Sequence, residues 1–339
     1  MTMPALAYSG LTAELDRRQF DASVPALVMR QPRVGWGGQL SYRILGLRLA
    51  LAIGRRAVFW GHDDPPYGQA FLPMFVDTPV NEVGAVPFDL DAAPNAPVMI
   101  CDYLDVERRQ DKSWPEIEAL ADARIAALLG LPRVDALALT GTLLGWMRLT
   151  PTMAAGIANA AGHLGVGERT LGIHLRRGDK QIESAFIPPV EFNRRIAALH
   201  ARWPFDSVLL ASDYAQAPKL LKLPDGVRLI FDTAEKRYNN ANAKMLDRTP
   251  DLAEQETLTA ARNVFLLAAC GGLIGQENGN FGRLAAAAIA ARGTPAERID
   301  LIDARLLERE DPIRSRIFRV RRFAREVVKW TARRLGLLR

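Results

Sequence analysis

The sequence predicts an α/β protein made of two domains, each a parallel sheet flanked by helices. Three observations point there. Short apolar runs alternate along the chain with longer segments of helical periodicity. The alternation breaks at Gly165-Val166-Gly167 and then starts afresh. With 339 residues, the chain is long enough for two domains of ordinary size, each with a substantial core.

In the first half, the apolar run Ala26–Met29 reads as a strand and is followed by the glycine turn Gly35-Trp36-Gly37-Gly38. From Gln39 to Ile53, Leu40, Ile44, Leu47 and Leu51 keep helical spacing, and Ala57–Trp60 reads as the next strand. A further strand is expected at Pro97–Cys101, with helices at Trp114–Leu129 and Thr152–Leu164. The second half alternates strand Thr170–Leu175, helix Val190–Arg202, strand Ser207–Ala211, helix Ala215–Leu221, strand Val227–Phe231, helix Leu252–Ala269, strand Gly272–Gly275 and helix Phe281–Ala291. Asn280 is a natural N-cap for the last helix. The expected organisation is residues 1–165 as one Rossmann-like domain, 166–310 as a second facing it across a cleft, and 311–339 as a helical tail.

Composition narrows the classes. A chain that is 49% hydrophobic and 24% charged does not support extensive disorder. Cys101 and Cys270 lie far apart, so neither a disulfide framework nor a cysteine zinc site is available, which fits a reducing compartment. The least polar stretch, Val264–Gly275, is shorter than the roughly 20 residues of a membrane-spanning helix. The expectation is a cytoplasmic protein that is not integral to a membrane.

The net charge of +6 is unevenly placed. Residues Ile313–Arg339 hold ten Lys or Arg against the single acid Glu326, leaving 34 basic and 37 acidic residues in the body. A slightly acidic body argues against a nucleic-acid partner. In the tail, Ile313, Ile317, Val320, Phe323, Val327, Trp330 and Leu335 recur at helical intervals among arginines. Such a basic amphipathic helix suits an anionic bilayer surface, and the same pattern would serve a helix docked on the body.

The most informative run is Leu171-Gly172-Ile173-His174-Leu175-Arg176-Arg177-Gly178-Asp179-Lys180. Strand alternation puts Leu171, Ile173 and Leu175 on one face and His174 with Arg176 on the other. In open parallel sheets, ligands bind at the carboxyl ends of the strands. There an arginine fork holds two phosphate oxygens and a neighbouring imidazole donates one more hydrogen bond, a combination suited to a diphosphate. A salt bridge at a strand end, with Asp179 pairing Arg177 and the histidine packed, would show the same residues.

The run His174-x-Arg176-Arg177-x-Asp179-Lys180, with Glu183-Ser184-Ala185-Phe186 after it, resembles the central motif of the α-1,6-fucosyltransferases. Leu210-Ala211-Ser212-Asp213 resembles that family's second motif, and Phe265–Ala285 its third. The resemblance covers residues 169–292, with a weaker echo at Gly35–Leu51. It implies the two-Rossmann fold called GT-B, a GDP-fucose donor, inversion at the anomeric carbon, a glycan or lipid-linked glycan acceptor, and no metal. It also implies Glu183 as the base that takes the acceptor's proton, although this chain has one residue fewer between Lys180 and Glu183 than the core fucosyltransferases. His174 and Arg176 would stabilise the charge that develops on the departing diphosphate. Arg177, Asp213, Asn263, Asn278, Gly279 and Asn280 fall where nucleotide contacts are expected, and Gly37 and Gly38 where the backbone approaches a ligand closely. Asn-Gly-Asn stands where the family shows hydroxyl residues and a Gln, and Asn263 where it shows an Asp, so another nucleotide sugar, or a binding module without turnover, is the alternative.

Other signals read as bland. Asp89-Leu90-Asp91 has metal-site spacing but sits in a Pro- and Ala-rich loop, and His62-Asp63-Asp64 lacks further ligands at motif spacing. His163 and His200 fall on helices and read as structural.

Overall fold

The alternation of apolar runs and helices produces two separate parallel sheets. The computed structural model describes residues 8–30, 35–60, 70–71, 83–91, 96–103, 106–177, 187–237 and 249–303. Strands β1 (Ala26–Arg30), β2 (Arg56–Trp60), β3 (Val86–Pro87) and β4 (Val98–Asp102) form the first sheet, in the order β2-β1-β4-β3. Their register sets Val28 beside Val58 on one side and Ile100 on the other. Ala26, Val28, Val58 and Val98 are buried together, since a parallel sheet must cover both faces.

The helix Trp36–Ala52 lies tight on this sheet. A Cβ added at Gly46 would come within 2.7 Å of the Phe59 ring and 2.8 Å of Met29, so only glycine permits the approach. Arg48, on the same helix, is buried and donates to Glu118, to Thr140 Oγ1 at 2.7 Å and to the Ala136 carbonyl at 3.0 Å. One guanidinium thereby joins three helices, Trp36–Ala52, Trp114–Leu128 and Ala136–Trp146. The last of these and the helix Ser9–Gln19 are not evident from periodicity. Gln19 ties its helix to the sheet, because its side-chain amide donates to the Ala57 carbonyl at 2.6 Å and accepts from the Ala57 N–H at 2.9 Å, occupying the open edge of β2.

The second sheet comprises β5 (Thr170–Leu175), β6 (Ser207–Ser212), β7 (Arg228–Ile230), β8 (Gly272–Gln276) and β9 (Ile299–Ile302), in the order β7-β6-β5-β8-β9. All six residues of β5 are buried, and it pairs in parallel with β6 and β8. Leu171, Ile173 and Leu175 share a core with Phe192, Ile196 and Leu199 of the helix Pro189–Arg202. One expectation needs correction, and one strand was not expected. The helix expected over Ala215–Leu221 is a single 3-10 turn, Ala217–Leu220, because Pro218 supplies no backbone N–H to sustain a longer ladder. Strand β9 is too short and too polar, with Asp300 paired to Arg195, to stand out as an apolar run.

The chain forms two compact units. One comprises residues 1–165 together with 254–269 and 284–296, and the other takes the remainder. Within the first unit, a Cβ at Gly141 would fall 1.9 Å from the Ala287 carbonyl oxygen, a backbone atom that has nowhere to move. Gly141→Ala is therefore expected to destabilise the fold by about 2 kcal/mol or more, read as a lower denaturant midpoint at unchanged slope.

Candidate functional site

At the carboxyl end of β5, Leu171, Ile173 and Leu175 point into the core under the helix Pro189–Arg202, and alternation sends His174 to the opposite face. There the imidazole lies against the first turn of the helix Asn280–Ala291. A Cβ built on Gly279 would be 3.7 Å from His174 Cε1, and one on Gly282 would be 3.4 Å from Nδ1. The Phe281 ring closes the side at 5.9 Å between centroids. His174 is only 6% exposed, and its Nδ1 makes no hydrogen bond. Burial, and secondarily the positive charge of Arg176, push its pKa down to about 3, so the ring is neutral at ordinary pH.

Arg176 and Arg177 follow as the chain leaves the sheet. The Arg176 guanidinium is about a quarter exposed, with Nε 3.9 Å from Asp213 Oδ2. The Arg177 backbone N–H donates to Asp213 Oδ1 at 2.7 Å. Asp213, at the matching end of β6, thus holds the turn that carries both arginines.

The helix start differs in detail from the expected cap. The Gly279 carbonyl accepts the first helical bond from the Arg283 N–H at 3.0 Å, so Gly279 is the cap and Asn280 the first helical residue. A Cβ at Gly279 would meet the imidazole at ordinary contact distance, and the Gly279 N–H is tied to the Gln276 carbonyl at 3.1 Å. The amides of Asn280, Phe281 and Gly282 precede the first intrahelical bond, at the positive end of the helix dipole. A neutral buried imidazole, a guanidinium and a helix start therefore converge, the donor set of an anion site. Asn278, exposed, and Asn280, partly buried, flank it.

The remaining predicted residues lie elsewhere in the fold or outside the described residues. Gly37 and Gly38 are not in an open turn: the helix begins at Trp36, with extended Gly35 as its cap, because Trp36 is buried and stacks on Phe71 at 6.4 Å. Asn263 is partly buried midway along the helix Pro250–Ala268 and belongs, like Gly37 and Gly38, to the first compact unit. Glu183, His62-Asp63-Asp64 and the tail 311–339 lie outside the described residues. Asp89 and Asp91 form a surface turn in which Asp91 pairs with Lys112 at 3.0 Å and Arg124 at 3.2 Å. His200 packs edge-on against Phe205, and His163 is exposed at a helix end. Sequence reasoning missed Gly282, which makes room beside Nδ1 and is marked only by a glycine one turn into a helix, and Arg237, which braces the end of β6.

Among the described residues no three His, Cys, Asp or Glu side chains cluster as metal ligands, and no helix is long and apolar enough to cross a membrane. A groove of about 660 Å³ runs between the helices Pro151–Leu164 and Pro250–Ala268, lined by Met153, Ile157, Leu258, Thr259 and Arg262 among others. None of the predicted site residues lines it.

No family model matches the chain, and no curated protein matches it. It is similar to solved fucosyltransferases. An Arabidopsis thaliana FUT1 variant bound to GDP shares 13% identity, with 83% of this chain and 72% of that one covered, at a TM-score of 0.48. Fucosyltransferase NodZ from Bradyrhizobium shares 16%, with 77% and 92% covered, at 0.46. POFUT1 in complex with GDP-fucose shares 11%, with 84% and 99% covered, at 0.45.

The depressed pKa of His174 has a measurable consequence. Between its ordinary value near 6.5 and about 3, the unfolded chain binds a proton at this ring that the folded chain does not. Its stability contribution is complete above the upper value and is lost on acidification. The unfolding free energy of the native protein is expected to fall more steeply than that of His174→Gln across this window, by up to about 1.4 kcal/mol per pH unit, measured by denaturant titration at several pH values.

Proposed function

We propose that this chain is an inverting, metal-independent fucosyltransferase of the GT-B kind that moves fucose from GDP-fucose to a hydroxyl of a glycan or lipid-linked glycan. The observation that carries the reading is the buried, unpartnered His174 Nδ1 beneath a helix start, with the Arg176 charge beside it, at the carboxyl end of a parallel strand. A nitrogen kept from water without a partner is costly unless something else satisfies it, and the chemistry around it fits an oxyanion. The His-x-Arg-Arg motif that places these groups is the one that resembles the fucosyltransferases.

In this reading, Arg176 supplies fixed positive charge and His174 a neutral donor to the β-phosphate, where negative charge grows as the sugar's C1–O bond breaks. The electron pair of that bond leaves with the diphosphate. The acceptor hydroxyl attacks C1 from the opposite face and gives its proton to Glu183. Guanidinium charge takes the role that a divalent cation fills in other transferases. The basic tail 311–339 would hold this chemistry at the cytoplasmic face of an anionic membrane.

Calorimetric titration with GDP-fucose, GDP, UDP and dTDP-sugars tests the donor, and tight binding without turnover would favour the binding module. Arg176→Ala is expected to abolish transfer and weaken GDP binding about 100-fold, while leaving the unfolding midpoint nearly unchanged; retained transfer sinks the assignment. Glu183→Gln should slow transfer and keep donor affinity. For the tail, replacing Arg321, Arg322 and Arg325 with Glu is expected to release the full chain from vesicles containing phosphatidylserine in a flotation assay, an effect that 0.5 M salt should mimic (about a 4 Å Debye length).

A further inference from the structure

Beneath the arginine turn lies a side chain that the motif does not mention. Ser212 is the last residue of β6 and lies in register with Leu175, so the chain leaves the sheet beside the point where β5 ends. The next residue, Asp213, has to keep its carboxylate on the Arg177 N–H and near the Arg176 guanidinium. A turn free to swing would lose both contacts. Arg237 ties this end down: its Nε donates to the Ser212 carbonyl at 3.0 Å, Nη2 to the Asp232 carbonyl at 2.6 Å and Nη1 to the Glu235 carbonyl at 2.8 Å. Its guanidinium lies 4.2 Å over the Phe231 ring, and its side chain is only 8% exposed. The carbonyls it holds are themselves fixed, since Asp232 Oδ1 accepts from the N–H groups of Ala234 and Glu235 at 3.0 and 3.2 Å. On the other side, Ser212 Oγ accepts the Tyr214 N–H at 3.1 Å, which closes the turn around Asp213.

We propose that Arg237 is a positioning residue for the anion site: it locks the end of β6 so that Asp213 presents Arg176 and Arg177 in one fixed geometry. The inference rests on the reading of that arginine pair as the diphosphate grip. Three carbonyls converging on one planar fork suit a guanidinium, whereas a lysine ammonium at the same place reaches fewer of them. A buried arginine serving only the loop after β7 would stabilise the protein without influencing Arg177. The two roles therefore separate at the Arg177 amide and in the coupling to Asp213.

The test uses the full chain in two measurements. In hydrogen–deuterium exchange without ligand, Arg237→Gln is expected to speed exchange of the Arg177 amide at least tenfold, as Asp213→Asn does, while Leu171 and Gly172 keep native rates. The double variant should be no faster than Asp213→Asn alone. In calorimetry with GDP, Arg237→Gln should raise Kd about tenfold, Arg237→Lys less, and the double variant no more than Asp213→Asn. Exchange at Arg177 within twofold of native, or effects of the two substitutions that multiply, would overturn the proposal. Should Arg237→Gln fail to fold, the same two readouts on Arg237→Lys decide it. If the native protein takes up neither GDP nor GDP-fucose, the functional reading fails on its own, and the exchange result still decides the role of Arg237.

Discussion

The site depends on one packing arrangement: an uncharged imidazole held between the central strand of the second sheet and the glycine-bearing start of a helix. A parallel strand flanked on both sides has no solvent face, so any polar side chain it carries must be buried. His174 is such a residue, and the helix start over it carries glycines at 279 and 282, where a Cβ would reach the ring at ordinary contact distance. The strand end, the helix dipole and the guanidinium that follows are brought together by this contact. Burial also sets the ring's protonation state, so within this pair the arginine carries the charge and the histidine is neutral.

Buried arginines of the first sheet and its helices turn largely to main-chain carbonyls. Arg55 donates to the carbonyls of Ala26 and Ala96, Arg56 to that of Val24, and Arg48 joins three helices. These buried cations close the gaps where strand ends and helix termini would otherwise leave carbonyls unsatisfied.

Much of the second half was legible because its strands are continuous apolar runs bounded by turn residues. Thr170–Leu175 is found where periodicity places it, and Ser207–Ser212 extends one residue past the expected Ala211. The placing of His174 opposite Leu171, Ile173 and Leu175 follows from alternation alone. What stayed hidden had no periodic signal. The helix Ser9–Gln19 is polar over much of its length and joins the sheet through one glutamine side chain, while Ala136–Trp146 is apolar on most sides and shows no stripe. The glycines of 35–38 read as a loop because local propensity favours a turn, but the burial of Trp36 starts the helix earlier. Arg237 was invisible for another reason: its partners are main-chain carbonyls, which leave no residue-type signature.

The make-up of the first compact unit bears on how the protein comes into being. Its members include residues 254–269 and 284–296, and the bare backbone at Gly141 is matched by Ala287. On a ribosome this unit remains unfinished until most of the polypeptide has emerged, so the N-terminal segment must wait for pieces made much later. A gene fragment ending at Gly165 would accordingly encode this unit without two of the segments that complete it.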